Sequence, residues 1–223
     1  MNAIAGMVAK DLGTQPKTVV KSMTAAQIHR GPMGEEFVYD DQAILGIRVG
    51  MNPHKQAVIA EDKQLLIVGD SALCNIRELR TYLKDQQHLP NVTSNMSDME
   101  ILLRLYEIHG FDCLKRLRGD FAFAIWDGRQ NHLLLARDRF GMKPLFYYYK
   151  HNMLLFASEM KGLLASGLVE KQLDLNAIYH YLFFTFFLQP QTPFKDVRSL
   201  TPGHYAIYHP SDGILEEVEY WDV

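Results

Sequence analysis

The sequence predicts an α+β chain in which antiparallel sheets are covered on their faces by helices. Short apolar or alternating runs bounded by turn residues recur from AIAGMVA at 3–9 to MLLFA at 153–157. The turn Asp127-Gly128-Arg129-Gln130-Asn131 joins two consecutive runs so closely that they pair antiparallel. The two runs themselves, DFAFAIWD and HLLLAR, are too continuously apolar for a sheet with one wet face, so both faces need cover.

In chain order, strands are expected at 3–9, 35–39, 43–49, 64–69, 120–127, 132–137, 145–149 and 153–157. A helix fits 16–29, where Pro16 supplies a residue already set for the first turn. Others fit 76–84 and 97–108, the latter with Ser97 as N-cap and Glu100 completing a capping box. A last helix fits 174–187, capped by Asp174. The stretch AIYHYLFFTFFLQ at 177–189 is shorter than the ~20 apolar residues of a membrane span and carries His180, Tyr179, Tyr181 and Thr185. It reads first as a buried core helix, with a partner-docking surface as the alternative.

With 23 basic and 26 acidic residues the net charge is −3, which does not suit a surface built to hold nucleic acid. Hydrophobic residues make up 48 % of the 223, enough for a real core, and one domain over 1–223 fits the length, without repeat or low-complexity linker. Cys74 and Cys113 stand far apart, which leaves no disulfide framework or zinc spacing and suits a reducing cytoplasm. The start, MNAIAGMVAKD, lacks the basic flank and apolar run of a signal peptide, and no membrane contact is expected.

Phosphate-cradling GxGxxG and GxxxxGK[ST] motifs are absent, as are HExxH and GxSxG, and the nine histidines are scattered, so no metal site is expected. What stands out is a series of segments: His29-Arg30-Gly31-Pro32, Ser97-Asp98-Met99-Glu100, Leu117-Arg118-Gly119-Asp120-Phe121-Ala122-Phe123-Ala124, Ala136-Arg137-Asp138-Arg139-Phe140-Gly141-Met142-Lys143-Pro144-Leu145, Ala157-Ser158-Glu159, Leu200-Thr201-Pro202-Gly203-His204-Tyr205 and Tyr220-Trp221. Several have plain structural readings: Gly31-Pro32 stops a helix, Gly141-Met142-Lys143-Pro144 is a turn, and Arg137, Asp138 and Arg139 can form a local ion-pair network. Taken together, in this order, they resemble the N-terminal class II glutamine amidotransferase domain of the asparagine synthetase family along the whole of 1–223. The resemblance implies a four-layer αββα sandwich of the N-terminal-nucleophile hydrolase type.

It also implies a chemistry against which this sequence can be checked. In the family the mature chain begins with Cys, whose thiolate attacks the glutamine side-chain amide while its own α-amine serves as base. Here Asn2 occupies that slot, and a carboxamide is not a competent nucleophile. Met1 is expected to remain, because its removal is favoured only before a small side chain. The family's glutamine-carboxylate clamp, an Arg in a Leu-Gly-His-Arg-Arg-Leu-like run, falls at Val49 of Leu45-Gly46-Ile47-Arg48-Val49-Gly50, with Arg48 on the opposite strand face. The family's Asn-Gly-Glu turn corresponds to Val68-Gly69-Asp70-Ser71-Ala72-Leu73-Cys74-Asn75, so that Gly69 removes an oxyanion donor. Asp98 matches the ammonium-binding carboxylate. Cys74 and Cys113 are read as structural thiols rather than substitutes.

The favoured expectation is therefore a degenerate glutamine amidotransferase domain, silent as a glutaminase and serving as scaffold for an ATP-dependent amide-forming synthetase half, in cis or in trans. That half, expected to be absent from these residues, would be the source of any ATP and Mg2+ chemistry; no cofactor is expected in this chain. Relatives of β-lactam synthetase type, with a dead first domain, show that the resemblance allows this. The candidate interface is the aromatic helix, with Phe183 and Phe187, and the Arg137-Asp138-Arg139 loop; a homodimer is a further arrangement. Two alternatives stand beside it: an active glutamine-hydrolysing asparagine synthase or its glutaminase half, and a reused pocket in which Gly69, Asp70 and Asp98 form an acidic recess for a small amine.

Overall fold

The computed structural model describes residues 1–51, 57–59, 64–85, 93 and 95–222, with 57–59 as backbone only. In chain order the elements are β1 (Ala3–Ala9), α1 (Pro16–Ala25), β2 (Gly34–Tyr39), β3 (Ala43–Val49), β4 (Ala57–Ile59), β5 (Leu65–Leu73), α2 (Ile76–Asp85) and α3 (Asp98–His109). A 3-10 helix (Gly110–Arg116) follows, then β6 (Gly119–Asp127), β7 (His132–Arg137), β8 (Phe146–Lys150), β9 (Met153–Ala157), α4 (Met160–Ala165), α5 (Leu175–Phe184), β10 (Val197–Ser199), β11 (His204–His209) and β12 (Ile214–Glu219).

The strands form two antiparallel sheets, ordered β10-β8-β9-β1-β3-β2 and β12-β11-β7-β6-β5-β4. Alternation along each strand sends residues to two different cores. Ile4, Leu45, Ile47 and Phe156 of the first sheet meet Val68, Ala124, Trp126, Leu135 and Tyr208 of the second in the central layer. The outward residues Ala5, Met7 and Ile44 pack against Val20 and Met23 of α1 and Leu163 of α4. On the far side Leu65, Ile67, Phe121, Phe123 and Ile125 pack under α2 and α3 through Leu79, Leu83, Leu102 and Leu105. The order of layers is thus helices, sheet, sheet, helices. Both central strands are buried on both faces, which accounts for the unbroken apolar runs of β6 and β7.

The capping chemistry read from the sequence is present. Ser97 Oγ accepts from Glu100 N at 3.2 Å and Glu100 Oε2 accepts from Ser97 N at 2.6 Å, closing both halves of the box. Asp174 Oδ1 accepts from Asn176 N and Ala177 N at the start of α5. Two helices end earlier than expected. The chain turns at 26–30 instead of continuing α1 to 29, and buried Gln27 there bonds Met23 O, Ile4 O and Glu159 N. At the other end Thr185 adopts a left-handed conformation (φ 65°), with its N–H on Tyr181 O, and stops α5.

The larger correction concerns the surroundings of α5. Only Ala177 of the helix is buried, while Leu182 and Phe183 are 76 % and 75 % exposed and Tyr179, Phe184 and Phe186 are exposed too. The buried-helix expectation fails because no layer covers that side among the described residues. The elements β4, α4, the 3-10 helix and β10–β12 are not among the expected ones, and Cys113 of the 3-10 helix lies in the core. No helix of the described residues is long and apolar enough to cross a membrane.

Under the second sheet lies a buried polar cluster. Tyr106 Oη sits 3.1 Å from Asp127 Oδ2 and 2.8 Å from His132 Nε2, with Arg129 paired to Asp127 and the His209 ring edge-on to His132. Burial holds the His132 imidazole below its ordinary range; the Asp127 carboxylate opposes this, and His209 and Arg129 reinforce it. A histidine with a depressed folded-state pKa stabilises the fold above its unfolded pKa of about 6.5, and that contribution is lost as pH falls below it. The urea midpoint is accordingly expected to fall between about pH 7 and pH 5, with a shallower fall in His132→Gln, and an unchanged slope in that variant would remove His132 as the source.

Candidate functional site

The site is built where the first residues of β1 meet the end of β5. Asn2 is 3 % exposed, and its backbone N–H, backbone carbonyl and side-chain oxygen are all engaged. Its N–H donates to Asp70 Oδ1 at 3.1 Å, its Oδ1 accepts from Gly50 N at 2.7 Å, and its carbonyl accepts from Arg30 Nε at 3.1 Å. Gly50 admits this arrangement because a Cβ there would run into the Met1 backbone. With Met1 in place, Asn2 N is a peptide nitrogen already donating to a carboxylate. It offers neither a free amine nor a base.

Asp70 is the centre of charge. Buried itself, it faces Arg30 Nη2 at 3.5 Å and Lys143 Nζ at 3.3 Å. Arg30 also contacts Glu159, at 3.4 Å, and Glu159 is bound by His29 and Lys161. Burial by itself would raise the Glu159 carboxyl, but the hydrogen bonds from His29 and Lys161 hold it below the usual range. A cavity of about 340 Å³ opens beside this cluster, lined by Met1, His29, Arg30, Pro32, Met51 and Glu159.

The expected pocket residues fall as follows. Val49 is half-buried against the central core, and Arg48, on the other face of β3, donates to Gly31 O at 2.9 Å and reaches Glu35 at 3.4 Å. No guanidinium from this strand therefore points with Val49. The placement of Gly69 is corrected: a Cβ there would lie 2.5 Å from Met99 Sδ and 3.0 Å from Phe123 Cβ, so Gly69 faces α3. The residue of β5 that reaches Asn2 is the next one, Asp70. A carboxylate in that position has no N–H to give and would repel an oxyanion. Asp98 accepts from Ser71 Oγ at 3.1 Å. Asp70 and Asp98 belong to separate sets of contacts, and Asp70 already faces two cations, so the expected acidic recess of Gly69, Asp70 and Asp98 is not formed.

The motif loop is corrected as well. Arg137 is buried and donates to Lys143 O, Gly141 O, Leu200 O and Ser199 Oγ. Asp138, also buried, accepts from the N–H groups of Phe121, Phe140, Met142 and Lys143. Both are spent inside the fold, where they shape the turn that delivers Lys143 to Asp70, and neither is available to a partner. Arg139 alone of the three is part-exposed. Of the aromatic pair, Phe183 is open to solvent and Phe187 is half-buried, stacked on Tyr181 at 4.7 Å. Sequence reasoning missed Arg30 and Lys143 as partners of this site, although both lie in segments it singled out.

The two thiols stand outside the cluster around Asn2. Cys113 is in the core under α3, where burial pushes its thiol up to about 12. Cys74 is exposed, one residue beyond β5, with its N–H on Arg118 O.

Comparison with known proteins agrees with this architecture. The model of the glutamine amidotransferase domain family matches residues 1–221. Asparagine synthetases 1 and 3 (glutamine-hydrolyzing) of Bacillus subtilis are 30 % and 33 % identical over 200 and 222 residues, covering 88 % and 94 % of this chain. The chain spans only 31 % to 44 % of the length of these and a further curated relative. Among solved structures, glutamine phosphoribosylpyrophosphate amidotransferase from B. subtilis superposes with a TM-score of 0.71 over 99 % of this chain and 50 % of its own, at 16 % identity. Matched by the family model over nearly its whole length and folded in the corresponding layers, the chain belongs to the glutamine amidotransferase domain family, related to asparagine synthetases.

Proposed function

We propose that this domain has lost glutamine hydrolysis and acts as a scaffold that docks an ATP-dependent amide-forming synthetase half, in cis or in trans. The observation that carries the reading is Asn2: the nucleophile slot holds a carboxamide whose oxygen is committed to Gly50 N–H, on a residue whose backbone N–H is committed to Asp70. Val49 and Asp70 stand where a carboxylate clamp and an oxyanion donor would be needed, so the loss involves more than one position. ATP and Mg2+ would belong to the synthetase half and not to these residues. The exposed face of α5, with Leu182 and Phe183, supports a docking role, since a contiguous apolar surface of this kind costs free energy in water unless something covers it. Two unpaired thiols suit a reducing cytoplasm.

Three experiments test this. Asn2→Cys places a thiol, and a small residue that favours removal of Met1, in the slot; intact mass reports the removal. With Met1 gone, glutaminase activity is expected to stay at background and calorimetry to show no glutamine binding, whereas restored turnover would overturn the proposal. Asn2→Ala leaves Gly50 N–H without its acceptor and is expected to cost about 1–3 kcal/mol in urea unfolding. For the docking face, Leu182→Ser combined with Phe183→Ser is expected to leave the unfolding midpoint within about 2 °C while abolishing co-purification with the synthetase half; retained co-purification would remove α5 from the interface.

A further inference from the structure

We infer that a recess between α2, the 3-10 helix and the turn after β7 is a docking site for an acidic polypeptide segment. It encloses about 410 Å³ and is lined by Glu78, Leu79 and Tyr82 of α2 and by Lys115, Arg116, Arg118 and Arg139. The inference uses neither the nucleophile slot nor α5, and it stands whether or not the domain hydrolyses glutamine.

Two of the four cations lack a counterion. Arg116 lies 4.5 Å above the Tyr82 ring and Arg139 lies 5.4 Å from the Trp221 ring. No carboxylate among the described residues is within ion-pair distance of either. Arg139 is also held in place: Nη2 donates to Leu117 O at 3.3 Å and to Lys115 O at 3.5 Å, while its Nε is buried with no hydrogen-bond partner. A guanidinium fixed by backbone carbonyls and ring stacking, with no carboxylate paired to it, is pre-organised for an oxyanion. The other two cations carry partners that water already weakens. Lys115 pairs with Asp112 at 2.7 Å and Arg118 with Glu78 at 3.9 Å, and in both pairs the side chains are mostly exposed. Four cations against two exchangeable carboxylates leave the lining positive on a protein of net charge −3.

The form of the recess favours a chain segment over a single small anion. Four cations and the apolar groups of Leu79 and Tyr82 share the lining, so one tetrahedral ion could engage only part of it. Beside Arg139, Phe140 and Met142 are 71 % and 64 % exposed, and Phe140 meets Trp221 edge-on at 5.2 Å. Carboxylates spaced along a backbone, with an apolar side chain among them, satisfy the cations, the apolar lining and this shoulder together.

Fluorescence anisotropy with a short labelled peptide of glutamates carrying one leucine and one phenylalanine tests the assignment. Saturable binding is expected, weakening as salt rises and weakened about tenfold or more by Arg116→Gln with Arg118→Gln. These two residues are exposed, so the variant should fold, with circular dichroism as the check; Arg139→Gln is expected to act in the same direction. The charge-matched control, Lys171→Gln with Lys195→Gln, lies outside the recess and is expected to change little. No saturable binding, or equal weakening by the control pair, would overturn the proposal. So would displacement of the peptide by inorganic phosphate or ATP at concentrations equal to its own, since that would assign the recess to a small anion.

Discussion

The closing of the two sheets at one end depends on a single buried carboxylate. Asp70 ends the apolar run of β5 and meets one hydrogen-bond donor and two cations drawn from three other parts of the chain: Asn2 N–H at the entry to β1, Arg30 in the turn after α1, and Lys143 in the turn after β7. A charge this deep is tolerated only where partners surround it, and removal of any one leaves the others uncompensated. Arg137 and Asp138 act on this point from a distance. Their hydrogen bonds to the 138–144 backbone set the course of the turn that carries Lys143. Residues that look like a surface ion-pair motif are therefore internal supports of the charge cluster.

The same cluster defines the surroundings of residue 2. A nucleophile needs an unsatisfied, ionisable atom with room for a substrate beside it. Asn2 has the opposite properties: it is buried and neutral, its side-chain oxygen and both backbone groups are hydrogen-bonded, and it ties β1 to Gly50 beyond β3 and to β5 across the central layer. Through these bonds the residue staples the two sheets together.

Much of the fold was legible in the sequence because it rests on local rules. Alternation and apolar runs located β1, β3, β6, β7 and β9, and the Ser97 and Asp174 caps were visible as side chains with a backbone N–H to accept from. The rest was hidden for identifiable reasons. β11 and β12 alternate weakly, since most of their residues are half-buried or exposed. The apolarity of α5 cannot by itself say whether a layer covers it. The assignment of Gly69 to the pocket failed by one residue, and in a strand one residue reverses the face: Gly69 looks at Met99 while Asp70 looks at Asn2. Arg30 and Lys143 lie far from Asp70 in sequence, and only the fold brings the three charges together.

The backbone of Met1 rests over Gly50, yet the residue as a whole is 71 % exposed. In a domain whose first amine does chemistry, anything attached ahead of the nucleophile is an obstacle to be cleaved away. Here residue 2 is Asn and the residue ahead of it points to solvent, so a segment joined to Met1 would meet few contacts of the fold behind it.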